Sequence, residues 1–153
     1  MIDIVDGATR SRMMSSIQGK NTKPEMVIRR FLHRKGFRYR LHKKDLPGKP
    51  DLVLARYRLV IFVHGCFWHR HKDCFYATSP ATRKDFWQYK LDGNVQRDNR
   101  QHRNLIESGW RVLIIWECGI RHNSETLNDV VMLIKGNDVF NEWPDSPPRQ
   151  RVN

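Results

Sequence analysis

VIFVHGCFWHRHKDC, from Val60 to Cys74, is the stretch on which the reading of this chain turns. It opens with strand formers, Val60 to Val63, continuous rather than alternating, as in a strand buried on both faces of a sheet. The run leads straight into His64, Cys66, His69, His71 and Cys74, with the aromatics Phe67 and Trp68 among them. Metal-ligand chemistry and large flat side chains rarely share so few residues unless a site is being built. The stretch therefore places a functional loop at the end of a central strand.

Toward the N-terminus, Asp51–Ala55 and Arg58–His64 read as a strand pair, entered through the turn Leu46-Pro-Gly-Lys-Pro50. Phe37, Tyr39 and Leu41 alternate with Arg38, Arg40 and His42, the period of a half-exposed strand. Thr22 and Glu25 form a capping-box pattern with Pro24 in the first turn. It opens a helix to about Lys35, with Val27, Ile28, Phe31 and Leu32 on one face and Gly36 as the stop. Toward the C-terminus, residues 65–81 read as an irregular loop. Thr82 and Asp85 form a second capping box, opening a helical region to about Ser108 with Gly93 as a candidate break. Trp110–Trp116 (WRVLIIW) is another central strand, and Asn123 or Ser124 caps a last helix to Ile134. These elements predict one α/β domain over residues 21–140, a small mixed sheet flanked by helices. Residues 1–20 are expected to form a basic DNA-binding arm and residues 141–153 a disordered tail.

The chain has 153 residues, enough for one domain with a proper core. Lys and Arg number 28 against 16 Asp and Glu, a net charge of +12. Such an excess, interleaved with aromatics, suits a nucleic acid, because each neutralised phosphate releases counterions. No segment approaches the ~20 apolar residues of a membrane span. The first residues, MIDIVDGATRSRMM, lack the apolar block of a signal peptide, so a cytoplasmic protein is expected. Three cysteines, an odd count in a reducing compartment, favour metal ligation over disulfides.

Cys66, His71 and Cys74 have zinc-like spacing, and Cys118 follows a buried strand as a distant fourth donor. A Cys3His set has no open position, so the ion would be structural. The bland alternative is three unrelated buried thiols. Pro50-Asp51 opening a strand resembles the PD-(D/E)xK nucleases, whose strand aspartate holds Mg²⁺, though Arg58–His64 carries no carboxylate or lysine. An Asp51 that only caps the turn is the alternative. His64 and His69 remain once His71 goes to zinc. Either could be a general base, with Asp98 as the partner that fixes its tautomer. Glu25 could serve the cap, the site or both. Phe67 and Trp68 lie between metal donors, and Phe86-Trp87 follows on the next helix, one expected in the core and the other exposed. Exposed aromatics beside basic residues suggest stacking or intercalation into DNA, which is least costly where pairing is already poor.

ATRSRMM, PGKPD, VIFVHGCFWHRH, PATRKDFW, NVQRD and WRVLIIWEC together resemble the Vsr family of very-short-patch repair endonucleases, from Ala8 to Cys118. The resemblance implies a restriction-endonuclease-like fold with structural Zn²⁺ and Mg²⁺-dependent nicking 5′ of the thymine in a T:G mismatch. Such mismatches arise by deamination of 5-methylcytosine. By motif, Asp51 and the backbone carbonyl of Val63 would hold Mg²⁺, and Glu25 water of its shell. His69 would be the general base oriented by Asp98, and His64 would contact the scissile phosphate. Cys66, His71, Cys74 and Cys118 would hold zinc. Phe67, Trp68 and Trp87 would form the wedge, the segment at Met13-Met14 would lie in the minor groove, and Lys90 and Asn94 would read the mismatched pair. Implied partners are double-stranded DNA with a T:G mismatch and mismatch-repair proteins. The absence of an evident dimer seam suggests a monomer. The competing readings are a restriction-type endonuclease for matched DNA and a non-enzymatic zinc-stabilised DNA-binding module.

Overall fold

Five strands form one mixed sheet in the order β1-β2-β3-β4-β5 in the computed structural model, which describes residues 21–151. The N-terminal arm with Met14 lies outside the described residues. The strands are β1 (Arg40–Leu41), β2 (Leu52–Leu54), β3 (Leu59–His64), β4 (Arg111–Trp116) and β5 (Phe140–Trp143). β1, β2 and β3 pair antiparallel, and β3, β4 and β5 pair parallel. The continuous apolar runs of β3 and β4 occupy the centre, where both faces are covered.

The two faces follow the period of two. Leu52, Leu54, Leu59, Ile61, Leu113 and Ile115 share one core with Ile28, Phe31 and Leu32 of α1 (Lys23–Arg34) and with Val130 and Ile134 of α4 (Asn128–Lys135). Val53, Val60, Phe62, Val112, Ile114 and Trp116 share the other with Leu105 of α2 (Lys84–Glu107) and all three cysteines. Val27, expected on the packed face of α1, is instead exposed, because the stripe is narrower than four adjacent residues.

The register pairs His64 with Trp116, so β3 and β4 end side by side. The loop after β3 and the short α3 (Glu117–His122) after β4 therefore leave from neighbouring points. α2 runs unbroken through Gly93, where nothing lies within 4 Å of an added Cβ. One glycine costs only about 1 kcal/mol, too little to interrupt a helix that buries Trp87, Leu91, Asp98 and Leu105 along one stripe. The Thr82–Asp85 box does not form: Arg83, left-handed at φ 52°, precedes the helix, with no side-chain cap. A 3-10 turn, Ser124–Thr126, precedes α4 in place of one continuous last helix.

The C-terminal segment corrects the expectation of disorder. Phe140–Trp143 adds β5 to the sheet, and Gln150 bridges Cys74. Phe140-Asn-Glu-Trp143 has no alternation that marks a strand, and pairing with β4 supplies its order. Among the described residues, no helix is long and apolar enough to cross a membrane.

Candidate active site

The turn before β2 sets the first carboxylate in place. Gly48 sits at φ 77°, where a Cβ would stand 2.9 Å from Gln101 Oε1 and 3.1 Å from Phe62, so a side chain there would be strained and crowded. The chain then enters β2 at Asp51. The β2–β3 ladder stops at Leu52 and Ile61, which leaves Val63 without a ladder partner on that side. Its N–H donates instead to Asp51 Oδ2 at 2.7 Å. A residue's N–H and C=O point the same way in an extended strand, so the Val63 carbonyl opens toward Asp51 as well. Burial pushes Asp51 up to about 7, against the lowering effect of the Val63 N–H, and the neighbouring Glu25 adds to the rise.

Glu25 takes part in the helix start and also faces the cleft. Its N–H donates to Thr22 Oγ1 at 3.4 Å, and its Oε1 accepts the Asn21 N–H at 3.2 Å. Its Oε2 meets His42 Nε2 at 2.8 Å, and the side chain is almost wholly buried. Donor atoms of Glu25, His42 and Asp51 all lie within 4.8 Å of one another. Hard oxygens on one side of an open cleft suit a divalent cation that keeps part of its water shell.

That cleft, of about 920 Å³, also takes in His64, His69 and Asp98. His69 Nδ1 lies 2.6 Å from Asp98 Oδ2. His64 stacks flat on His69, with ring centroids 3.6 Å apart and planes 6° from parallel. Burial, with smaller contributions from His69, His102 and Arg97, holds His64 well below the usual histidine range, so it is neutral at pH 7. Asp98 lies on the buried stripe of α2, and a carboxylate there is a buried polar group whose partner is His69.

Cys66, His71, Cys74 and Cys118 converge on the other side of β4's end, all buried, with donor atoms within 4.8 Å of one another. His71 Nδ1 is 3.7 Å from Cys66 Sγ and 3.4 Å from Cys118 Sγ. A tetrahedral zinc with ordinary Zn–S and Zn–N bonds sets that edge at about 3.5 Å, so the donors fit such an ion. The Cys118 thiol, and then burial, raise Cys66. Trp116 stacks on His71 at 4.1 Å and meets His64 edge-on at 5.4 Å. Its Nε1–H donates to Glu142 Oε1 of β5. The C-terminal strap closes the loop from outside: Phe75 N–H donates to Arg149 O and Arg151 N–H to Asp73 O, both at 2.9 Å.

Phe67 and Trp68 stand half-buried at the loop's crest, edge to face at 5.1 Å. Trp87 does not share their exposure. It is buried beneath both rings, at 5.7 and 5.9 Å, so it backs the pair, and Phe86 is the exposed member of its own pair. The Asn94 amide donates to Trp68 O at 3.2 Å, fixing the crest to α2, and Lys90 lines the cleft one turn away. The reading of the sequence missed His42, Arg97, Lys49 and Gln101, which also line the cleft. Of these only His42 had a signal, the last place in an alternating run, and that signal pointed to solvent.

A cleft lined by Lys49, Lys90 and Arg97, with two groups of acid–base side chains below an aromatic crest, suits an enzyme that hydrolyses a polyanion. The profile of the family described as DNA mismatch endonuclease Vsr matches residues 2–75. The DNA mismatch endonuclease Vsr of Escherichia coli (strain K12) is 46% identical over 143 residues, 94% of this chain and 88% of that one. Two proteins named as type II nicking enzymes are also similar. The one from Xanthomonas oryzae pv. oryzae is 46% identical over 77% of this chain and 86% of its own length. The one from Neisseria meningitidis serogroup A is 41% identical over 88% of this chain and 98% of its own. The chain belongs to the Vsr family of DNA mismatch endonucleases.

Proposed function

We propose that this endonuclease nicks one strand of duplex DNA on the 5′ side of the thymine in a T:G mismatch, using Mg²⁺ held by Asp51 and the Val63 carbonyl, with Glu25 holding water of its shell. The observation that carries the reading is the Asp98–His69 pair, closed at 2.6 Å and lining the same cleft as Asp51. Asp98 accepts the Nδ1–H of His69 and so leaves Nε2 free to take a proton. A water between His69 and the scissile phosphate loses that proton as it attacks. Neutral His64, stacked against His69, donates a hydrogen bond to a phosphate oxygen. When bound, Mg²⁺ would supply polarisation of the phosphate and charge stabilisation on the leaving 3′ oxygen. Lys49, Lys90 and Arg97 along the cleft draw in the backbone.

Phe67 and Trp68 enter the base stack from the major-groove side with Trp87 behind them, and Lys90 and Asn94 face the mismatched pair. Unstacking a step costs a few kcal/mol, and least at a mismatch, which supports mismatched over matched DNA. Zn²⁺ is the ion proposed for Cys66, His71, Cys74 and Cys118, where three thiolates and one imidazole leave no position for substrate. The setting is the bacterial cytosol, beside a cytosine-5 methyltransferase and mismatch-repair proteins, with the enzyme as a monomer.

The test uses end-labelled duplexes carrying one T:G mismatch in varied contexts, beside T:A and C:G controls, with Mg²⁺ or chelator. A single Mg²⁺-dependent nick 5′ of the mismatched thymine is expected. Cleavage of both strands of matched DNA would overturn the reading.

A further inference from the structure

Asp51 and Glu25 bring two carboxylates together in a largely desolvated place. A cation site needs their oxygens aimed at one point, so each carboxylate needs a donor of its own to fix its orientation. Asp51 has the Val63 N–H at 2.7 Å. Glu25 Oε1 has the Asn21 N–H at 3.2 Å, and Glu25 Oε2 has Arg29 at 3.4 Å and His42 Nε2 at 2.8 Å. His42 thus makes the shortest of these contacts to Glu25.

The backbone of His42 is tied to the other carboxylate residue. Its N–H donates to Asp51 O at 3.1 Å, just beyond the β1–β2 ladder. Its φ is 47°, a left-handed conformation that costs a side-chain-bearing residue energy and persists only where its surroundings hold it. One residue is therefore strained at the main chain, bonded there to Asp51, and bonded through its ring to Glu25. Simple membership of an exposed edge strand explains none of these three features.

We propose that His42 is a positioning residue of the cleavage site: it donates Nε2–H to Glu25 Oε2 and holds that carboxylate turned toward Asp51, so that the cation site is assembled before DNA arrives. The inference rests on the reading of Asp51 as a ligand of the catalytic cation and of Glu25 as the holder of its water. Outer-shell support of this kind typically carries about 10- to 100-fold in metal affinity or activity. A glutamine at this position keeps an N–H that reaches Glu25, and an alanine does not.

The test is Mn²⁺ binding to the whole zinc-loaded protein without DNA, followed by the electron paramagnetic resonance of the free ion. His42→Ala is expected to weaken Mn²⁺ binding about 10- to 100-fold and to slow nicking comparably, with KM for mismatched duplex and zinc content unchanged. His42→Gln is expected to restore most of the binding and the rate. Wild-type affinity in His42→Ala would overturn the proposal, as would a wild-type protein that binds no Mn²⁺ in the millimolar range. A folded His42→Gln as weak as His42→Ala would overturn it too, since the ring nitrogen would then be a direct ligand. Binding that depends on His42 in a protein that nicks no T:G duplex would sink the functional reading and leave this one standing.

Discussion

Two sets of ligand-grade side chains lie at the same end of the sheet and are built to opposite designs. Cys66, His71, Cys74 and Cys118 are four soft donors, all buried, ringed by Trp116 and closed by the strap at Arg149–Arg151. Glu25, His42 and Asp51 are harder donors gathered on one side of an open cleft. The first set satisfies an ion completely and leaves nothing for a substrate to touch. The second leaves room for water and phosphate oxygens, which a small divalent cation prefers to keep. Donor type and closure together fit the first set to a structural ion and the second to the proposed catalytic one.

The sharpest break of that contrast is Asp51→Ala. Nicking should fall by about a thousandfold or more, while melting temperature and binding to mismatched duplex in Ca²⁺ stay at wild-type levels. Full activity in that variant would remove Asp51 from the mechanism. Cys118→Ser should act the other way, with bound zinc lost, stability down by several kcal/mol, and any activity loss following the unfolded fraction. A folded Cys118→Ser that keeps its zinc would take Cys118 out of the ligand set. Asp98→Asn should lower the nicking rate about 10- to 100-fold with KM for DNA unchanged, measured in single turnover.

pH sharpens the comparison further. Asp51 in the cation-free protein carries its proton up to about pH 7. Cation binding must displace that proton, so affinity should rise about tenfold per pH unit below that point and level off above it. The linked effect on folding has the opposite sense. The folded state holds this proton more tightly than the unfolded chain, so Asp51's contribution to stability is full below 3.8 and is lost as pH rises through about 7. Titrations of Mn²⁺ binding and of urea midpoints, each across pH, read the two slopes. The smallest expected effect is that of Phe86→Ala, within about 0.5 kcal/mol of wild-type stability.

Phe86 and its neighbour show where the sequence was legible and where it was not. One of the pair had to be core, but the phase of α2 against the loop decides that it is Trp87. β3 and β4 could be read because their apolar runs are unbroken and need no partner to explain them. α1 could be read because Thr22, Pro24 and Glu25 signal locally. The convergence of Cys66, His71, Cys74 and Cys118 could be read because softness and spacing travel in the sequence itself. β5 could not, since Asn141 and Glu142 look like tail until β4 is beside them. His42 could not, since its meaning comes from Asp51 across a two-residue ladder and from Glu25 on a different element.

The strap at Arg149–Arg151 sets a clock. It pairs with a loop 74 residues earlier in the chain, through a bridge at Cys74 and a few hydrogen bonds at the outer margin of the fold. Contacts so few and so peripheral open far more often than the whole domain unfolds. Cys74 lies buried beneath them. For an ion held in the four-donor pocket, exchange with solvent is then expected to follow the rate of strap opening. With chelator in excess, that rate no longer depends on chelator concentration, and release of the ion counts the local breathing of the C-terminal segment.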